Sequence, residues 1–225
     1  MPATGLDTTV LELRQYTLHP GMRDILVDLF DRYFVEGQEE CGMAIPGQFR
    51  ALDDPDRFVW LRGFADMAAR QAALERFYEG PVWAAHREAA NATMVDFSDV
   101  LLLKPAWEGS GFKLDRNDRR VTGAAARPGG VIAVRITQVA AQGLADFSWW
   151  FREEQGADRS LIAAYMTEGL PNSYPALPVR DASVFVSFHD ETKAGLAPSP
   201  ADLAVGGSEW LRLAPTARSL LGGSG

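Results

Sequence analysis

The chain has 225 residues, of which 47% are hydrophobic and 23% charged, an ordinary globular composition that excludes a disordered or fibrous class. Its net charge is −8, with no basic stripe, which disfavours nucleic acid and anionic membranes, since phosphate groups recruit lysine and arginine. Cys41 is the only cysteine, so neither an intrachain disulfide nor a cysteine-built zinc site is expected.

The elements read in chain order as follows. Val10 to Leu18 alternates like a strand, with Leu11, Leu13 and Gln15 on one face and Glu12, Arg14 and Tyr16 on the other. Pro20-Gly21 breaks it. Met22 to Phe34 has helical spacing, with an apolar stripe of Ile25, Leu26, Leu29, Phe30 and Tyr33. Gly42 to Leu52 reads as a second strand that Pro46-Gly47 bulges. Asp53 to Asp56 is a turn, and Arg57 to Phe64, which carries Trp60, is a third strand. Asp66 can cap a helix to about Tyr78, and Pro81 can open another to about Thr93. Val95 to Lys104 is the fourth strand. Trp107 to Pro128 is rich in Gly, Arg, Asp and Asn and reads as a linker.

The pattern then restarts. Val10-Leu-Glu-Leu-Arg14 falls on Val131-Ile-Ala-Val-Arg135 at a shift of 121, and the same shift places Leu26 on Phe147 and Phe30 on Phe151. Val100 to Pro105 matches Trp210 to Pro215, and the strand ending in Phe64 matches Asp181 to Phe188. Recurrence of the same order at a fixed offset marks a duplication. The second copy's last helix looks short or degenerate, around Pro200 to Gly207. The expected fold is therefore α+β: two tandem ferredoxin-like β-α-β-β-α-β domains, 1–106 and 129–225, joined by a linker at 107–128. Each would leave one sheet face bare for the other to cover. The acidic surplus is uneven: residues 1–108 hold 10 basic and 18 acidic side chains, and residues 109–225 hold 12 of each.

Several residues could carry chemistry. Glu12, Arg14 and Tyr16 share a strand face that is either exposed or lines the space between two sheets. There Arg14 forms an ion-pair strut with Glu12 or holds an anionic or carbonyl group of a ligand. Trp83, His86 and Arg87 share a helix face, either as packing or with His86 as a proton shuttle. Asn172, Tyr174 and Arg180 lie on a loop stiffened by prolines, which suits the wall of a pocket or a rigid connection. His19 reads as a turn residue, His189 as an exposed strand end, and Trp149 to Phe151 as helix core and domain interface. No histidine has metal-ligand spacing, and no Gly-rich phosphate loop or nucleophile elbow is present, so no metal and no cofactor are expected.

Val10 to Gly21, Phe77 to His86, Asn91, Asp99 to Pro105 and the loop Pro171 to Arg180 together resemble the NIPSNAP family over nearly the whole chain. The resemblance implies a dimeric α/β-barrel fold. That superfamily also holds cofactor-free monooxygenases, EthD-like proteins and haem enzymes, so the fold is better implied than the chemistry. The expected function is binding of a small apolar or aromatic metabolite, with a cofactor-independent oxygenation or isomerisation. The alternative is a non-catalytic binding or assembly protein. The expected catalytic set is His86 as base with Arg14 and Tyr16, and the expected substrate-binding set is Glu12, Trp83, Trp60, Asn172, Tyr174 and Arg180. A homodimer is expected. So is a cytoplasmic location, because the N-terminus lacks signal-peptide character and no apolar run approaches the ~20 residues of a membrane span.

Overall fold

A computed structural model describes residues 5–125, 130–191 and 204–222. Eight strands are found among them: β1 (Val10–Leu18), β2 (Ala44–Ala51), β3 (Arg57–Phe64), β4 (Met94–Pro105), β5 (Ile132–Val139), β6 (Leu161–Thr167), β7 (Val184–Asp190) and β8 (Ala204–Pro215). They close into one antiparallel barrel in the order β1-β3-β2-β8-β5-β7-β6-β4. The helices are α1 (Arg23–Leu29), a π turn (Phe30–Phe34), α2 (Val35–Glu40), α3 (Met67–Tyr78), α4 (Pro81–Asn91) and α5 (Leu144–Gln155).

Alternation along the strands decides what faces where. Leu11, Leu13, Val59, Leu61, Leu101, Leu103, Val134, Val186, Phe188 and Leu213 point inward and are buried in one apolar cluster. These side chains fill the interior of the eight-stranded barrel as a packed apolar core. A second apolar cluster lies outside the barrel, between the helices of the first half and the outer face of β1, β3 and β4. A third, smaller one packs Phe147 and Phe151 of α5 on Phe185 and Ala164. Leu26 and Phe30, and their counterparts Phe147 and Phe151, are all buried.

Local signals act as the sequence suggests at several points. Asp66 caps α3 by accepting from the Ala69 amide at 2.7 Å. Pro81 opens α4. The β2–β3 register shifts between Ala44 and Gly47, where the Pro46-Gly47 bulge is expected.

Other expectations are corrected. The first helical segment continues to Glu40, and its buried line runs through Leu26, Phe30 and Phe34, while Ile25 is 51% exposed and Tyr33 40%. The π turn holds that four-residue step against the sheet instead of letting it drift by the 3.6-residue period. The stretch after Trp107 has little apolar periodicity, yet Phe112 and Leu114 join the barrel core, Phe112 packing on Tyr165 and Phe188. Residues 204–207, expected in a degenerate helix, open β8; the rest of that expected helix lies outside the described residues. Trp149 is 67% exposed, so it serves neither core nor interface within the chain. His189 is buried, not exposed, with Nδ1 3.1 Å from the Ser160 hydroxyl. Burial pushes its pKa down, with Arg135 adding to the effect and Asp158 opposing it.

One packing contact sets a pH dependence. The segment after β8 carries Arg218, which donates to the Asp31 backbone carbonyl and to the Glu36 carboxylate. The Asp31 side chain beside it has a buried oxygen without a partner. Burial lifts its pKa from 3.8 to about 6, against the pull of Arg218. Between those values the folded chain keeps a proton that the unfolded chain releases, so this contribution is complete below about pH 4 and is lost as pH rises through 6. Asp31→Asn is therefore expected to be more stable than the wild type at pH 7 and nearly equal at pH 4, as read by urea denaturation at both values.

Candidate functional site

The outer face of β1 carries a buried charge cluster. Glu12 and Arg14 are two residues apart on the same face and fully buried beneath the helices. This corrects the expectation that the face is exposed or lies between sheets: that space belongs to Leu11 and Leu13. Antiparallel pairing sets Arg62 opposite Glu12 and Trp60 opposite Arg14. The Glu12 carboxylate accepts from Arg14 at 2.7 Å, from Arg62 at 2.9 and 2.6 Å, and from Arg70 of α3 at 2.7 Å. Trp60 lies between two guanidiniums, 5.5 Å from that of Arg14 and 5.1 Å from that of Arg62.

Three guanidiniums share one carboxylate, so these four side chains carry an excess of two positive charges away from water. Burial alone would raise the Glu12 pKa, but Arg62, Arg14 and Arg70 override it and hold the carboxyl well below the usual carboxylate range. One Arg14 terminal nitrogen, Nη2, is buried without a hydrogen-bond partner. An orphaned buried donor costs about 1–3 kcal/mol, so the position is poised to gain from an added acceptor.

Arg14 adjoins a cavity of about 280 Å³ lined also by Tyr16, Tyr78, Trp83, Asn91, Met94, Phe97, Tyr174, Ala176 and Leu177. Its walls are mostly aromatic. Tyr78 and Tyr174 stack at 6.1 Å, and Trp83 meets Tyr78 edge-on at 5.0 Å. Arg14 Nε donates to the Tyr16 hydroxyl at 3.0 Å, which leaves the phenolic proton free to be donated elsewhere. Burial raises the Tyr16 pKa, with Arg14 opposing, and raises that of Tyr174. Both phenols thus stay protonated and can donate a hydrogen bond to an oxyanion.

The structure brings Arg14, Tyr16, Trp83 and Tyr174 to the cavity, with Glu12 and Trp60 behind Arg14. It does not bring His86 there: that ring stacks on Tyr33 at 3.8 Å and meets Phe34 edge-on at 6.3 Å. Asn172 and Arg180 line a separate groove of about 670 Å³ that runs over Leu144 and Met166. Arg180 is paired there with Asp99 at 3.0 Å. This groove is larger, but its charged groups are partly exposed and it lacks the orphaned buried cation of the smaller cavity.

Sequence reading missed Tyr78, Arg62 and Arg70. Arg70 had a signal: with Ala73, Leu74 and Phe77 it forms an i, i+3, i+4, i+7 line that is otherwise apolar, and a cation in such a stripe must find a buried partner. Among the described residues, no group of three or more His, Cys, Asp or Glu side chains could hold a metal. No helix among them is long and apolar enough to cross a membrane.

Fold and site together define an antiparallel α/β barrel whose first half carries an aromatic cavity beside a buried cation. Residues 11–107 match the NIPSNAP family model, and this part of the chain is a NIPSNAP domain. Over the full length the chain is similar to a protein of Fusobacterium nucleatum provisionally named a monooxygenase, with 8% identity, a TM-score of 0.59, and coverage of 100% of this chain and 98% of that one. A similarly named protein of Lactobacillus acidophilus gives 11%, 0.56, 95% and 97%. A NIPSNAP family protein of Agrobacterium tumefaciens covers 43% of this chain and 91% of its own, at 18% identity and a TM-score of 0.40. No curated protein matches this chain.

Proposed function

We propose that the chain binds a small, planar, aromatic or enolisable metabolite as its anion, in the cavity beside Arg14. The observation that carries this reading is the unpartnered, buried Arg14 Nη2 within a cluster holding two excess positive charges. Arg14 and Tyr16 would hold the oxyanion by charge-assisted hydrogen bonds, and the aromatic walls would take the ring. The chemistry supported is cofactor-independent oxygenation or isomerisation. In oxygenation, the carbanion carbon of the bound anion bonds to dioxygen, the peroxide takes a proton, and loss of water leaves a carbonyl. The two fold neighbours named monooxygenases are compatible with this, although at 8% and 11% identity they speak for the fold alone.

One observation favours the second reading, a binding protein without catalysis. Among the described residues lining the cavity there is no carboxylate or histidine, and burial keeps Tyr16 and Tyr174 protonated. A substrate would have to be acidic enough to ionise in the field of Arg14. Dioxygen uptake in the presence of ligand separates the two readings.

4-Nitrophenol tests the site, because its ionisation is visible. It is expected to bind as the phenolate with its apparent pKa lowered by about 1 to 3, the effect of an adjacent guanidinium. Equal binding of neutral nitrobenzene, or no lowering, would overturn the reading.

The strand orders β4-β1-β3-β2 and β6-β7-β5-β8 also support our proposal that residues 1–106 and 129–225 are ferredoxin-like duplicates joined by 107–128. Pairing of the halves within the chain supplies the partner that each bare sheet face needs. We further propose a cytoplasmic homodimer; light scattering that returned only monomer would remove the dimer.

A further inference from the structure

We infer that the loop Pro171–Val179, supplied by the second half of the chain, is a gate over the first half's cavity, and that Arg70 is the positioning residue that latches it. The inference rests on the cavity being the binding site. Arg14 has no accessible surface, and Tyr16 is only 7% exposed. A ligand can meet the orphaned Arg14 nitrogen only if a wall of the cavity gives way. The walls differ in how they are held. Tyr16 sits in a strand paired on both sides, and Tyr78 and Trp83 are on helices. Tyr174, Ala176 and Leu177 sit on a loop outside any strand or helix.

That loop is tied at one place to the charge cluster. Arg70 donates from Nε to Glu12 at 2.7 Å and from Nη1 to the Asn172 side-chain oxygen at 2.9 Å and the Ser173 hydroxyl at 3.1 Å. The same Asn172 oxygen accepts from the Tyr174 amide at 3.0 Å, and the Asn172 amide group donates to the Leu177 carbonyl at 2.9 Å. One guanidinium thus spans the carboxylate that holds Arg14 and the side chain that shapes the gate. The far end is anchored independently, by the Arg180 amide on Val100 at 2.8 Å and by the Arg180–Asp99 pair. With Pro171, Pro175 and Pro178 limiting internal flexing, the loop is expected to swing as a unit when the latch opens.

Hydrogen exchange of the free protein and stopped-flow binding of 4-nitrophenolate test this with Arg70→Lys, Asn172→Ala and their double variant. The hydrogen-bonded amides of Tyr174 and Leu177 are expected to exchange about 10- to 100-fold faster in each single variant, since each disrupts the charge-assisted Arg70–Asn172 hydrogen bond, with β1 and β3 unchanged. The double variant should exchange no faster than the faster single one. The association rate of nitrophenolate should rise along with its dissociation rate, which a merely destabilised fold would not produce. Unchanged exchange at Tyr174 and Leu177, additive effects in the double variant, or unchanged binding rates would each overturn the latch. If nitrophenolate fails to bind the wild type, the binding-site reading falls, and the exchange measurements decide the latch separately.

Discussion

Glu12→Ala is expected to destabilise the protein by about 3–5 kcal/mol, the scale for removing one partner of a buried ion cluster. Its mid-strand position is not the reason; the loss comes from three guanidiniums left under the helices without a counter-charge. Glu12→Gln keeps the shape and some acceptor capacity but not the charge, so it should fall between Ala and the wild type. The pH dependence has a definite sign. The folded carboxyl is held well below its ordinary 4.5, so its contribution is present at neutral pH and is lost as pH falls below that value. Urea denaturation from pH 7 to pH 3 should therefore show the Glu12→Gln deficit shrinking as acid is added. A constant deficit would mean that Glu12 acts through packing and not through charge.

Arg14→Met is expected to do the reverse: to spare the fold and remove the function. Glu12 would keep Arg62 and Arg70, and the mutual repulsion of three cations would be relieved. Unfolding free energy should change by no more than about 1 kcal/mol, because the change leaves no buried charge without a counter-charge. Affinity for 4-nitrophenolate should fall about 10- to 100-fold, as one charge-assisted hydrogen bond is lost. Large destabilisation with unchanged affinity would make Arg14 a strut. The pair of variants thus separates two roles that the same strand face assigns to neighbouring residues.

Much of the scaffold was legible because it rests on short-range chemistry. The Asp66 cap, the Pro81 helix start and the alternation of β1 are local, and the structure carries each of them. The site was legible only in pieces. Arg14, Tyr16, Trp83 and Tyr174 could be named, but not their meeting, which depends on strand register and on a loop from the other half of the chain. Arg62 joins Glu12 because it lies directly across in the β1–β3 ladder, and nothing local to either strand states that register. His86 shows the converse limit. Its spacing from Trp83 does put both on one helix, but the rotation of α4 gives Trp83 to the cavity and stacks His86 on Tyr33. His189 looked exposed because acidic residues follow it, and the sheet buries it all the same.

The two halves share their strand order but not their charges. At the 121-residue offset, Arg14 falls on Arg135, yet Glu12 falls on Ala133, and Arg135 bonds to Ser208 at 3.1 Å and rests over the Trp210 ring at 5.3 Å. The position of Glu12 thus has no carboxylate at the offset in the second half, and residues of that half, Tyr174, Ala176 and Leu177, line the cavity beside Arg14 instead. The proposed site accordingly predicts one ligand per chain. A titration with 4-nitrophenolate should end at a single equivalent per chain, and an end point of two would place a second site in the other half.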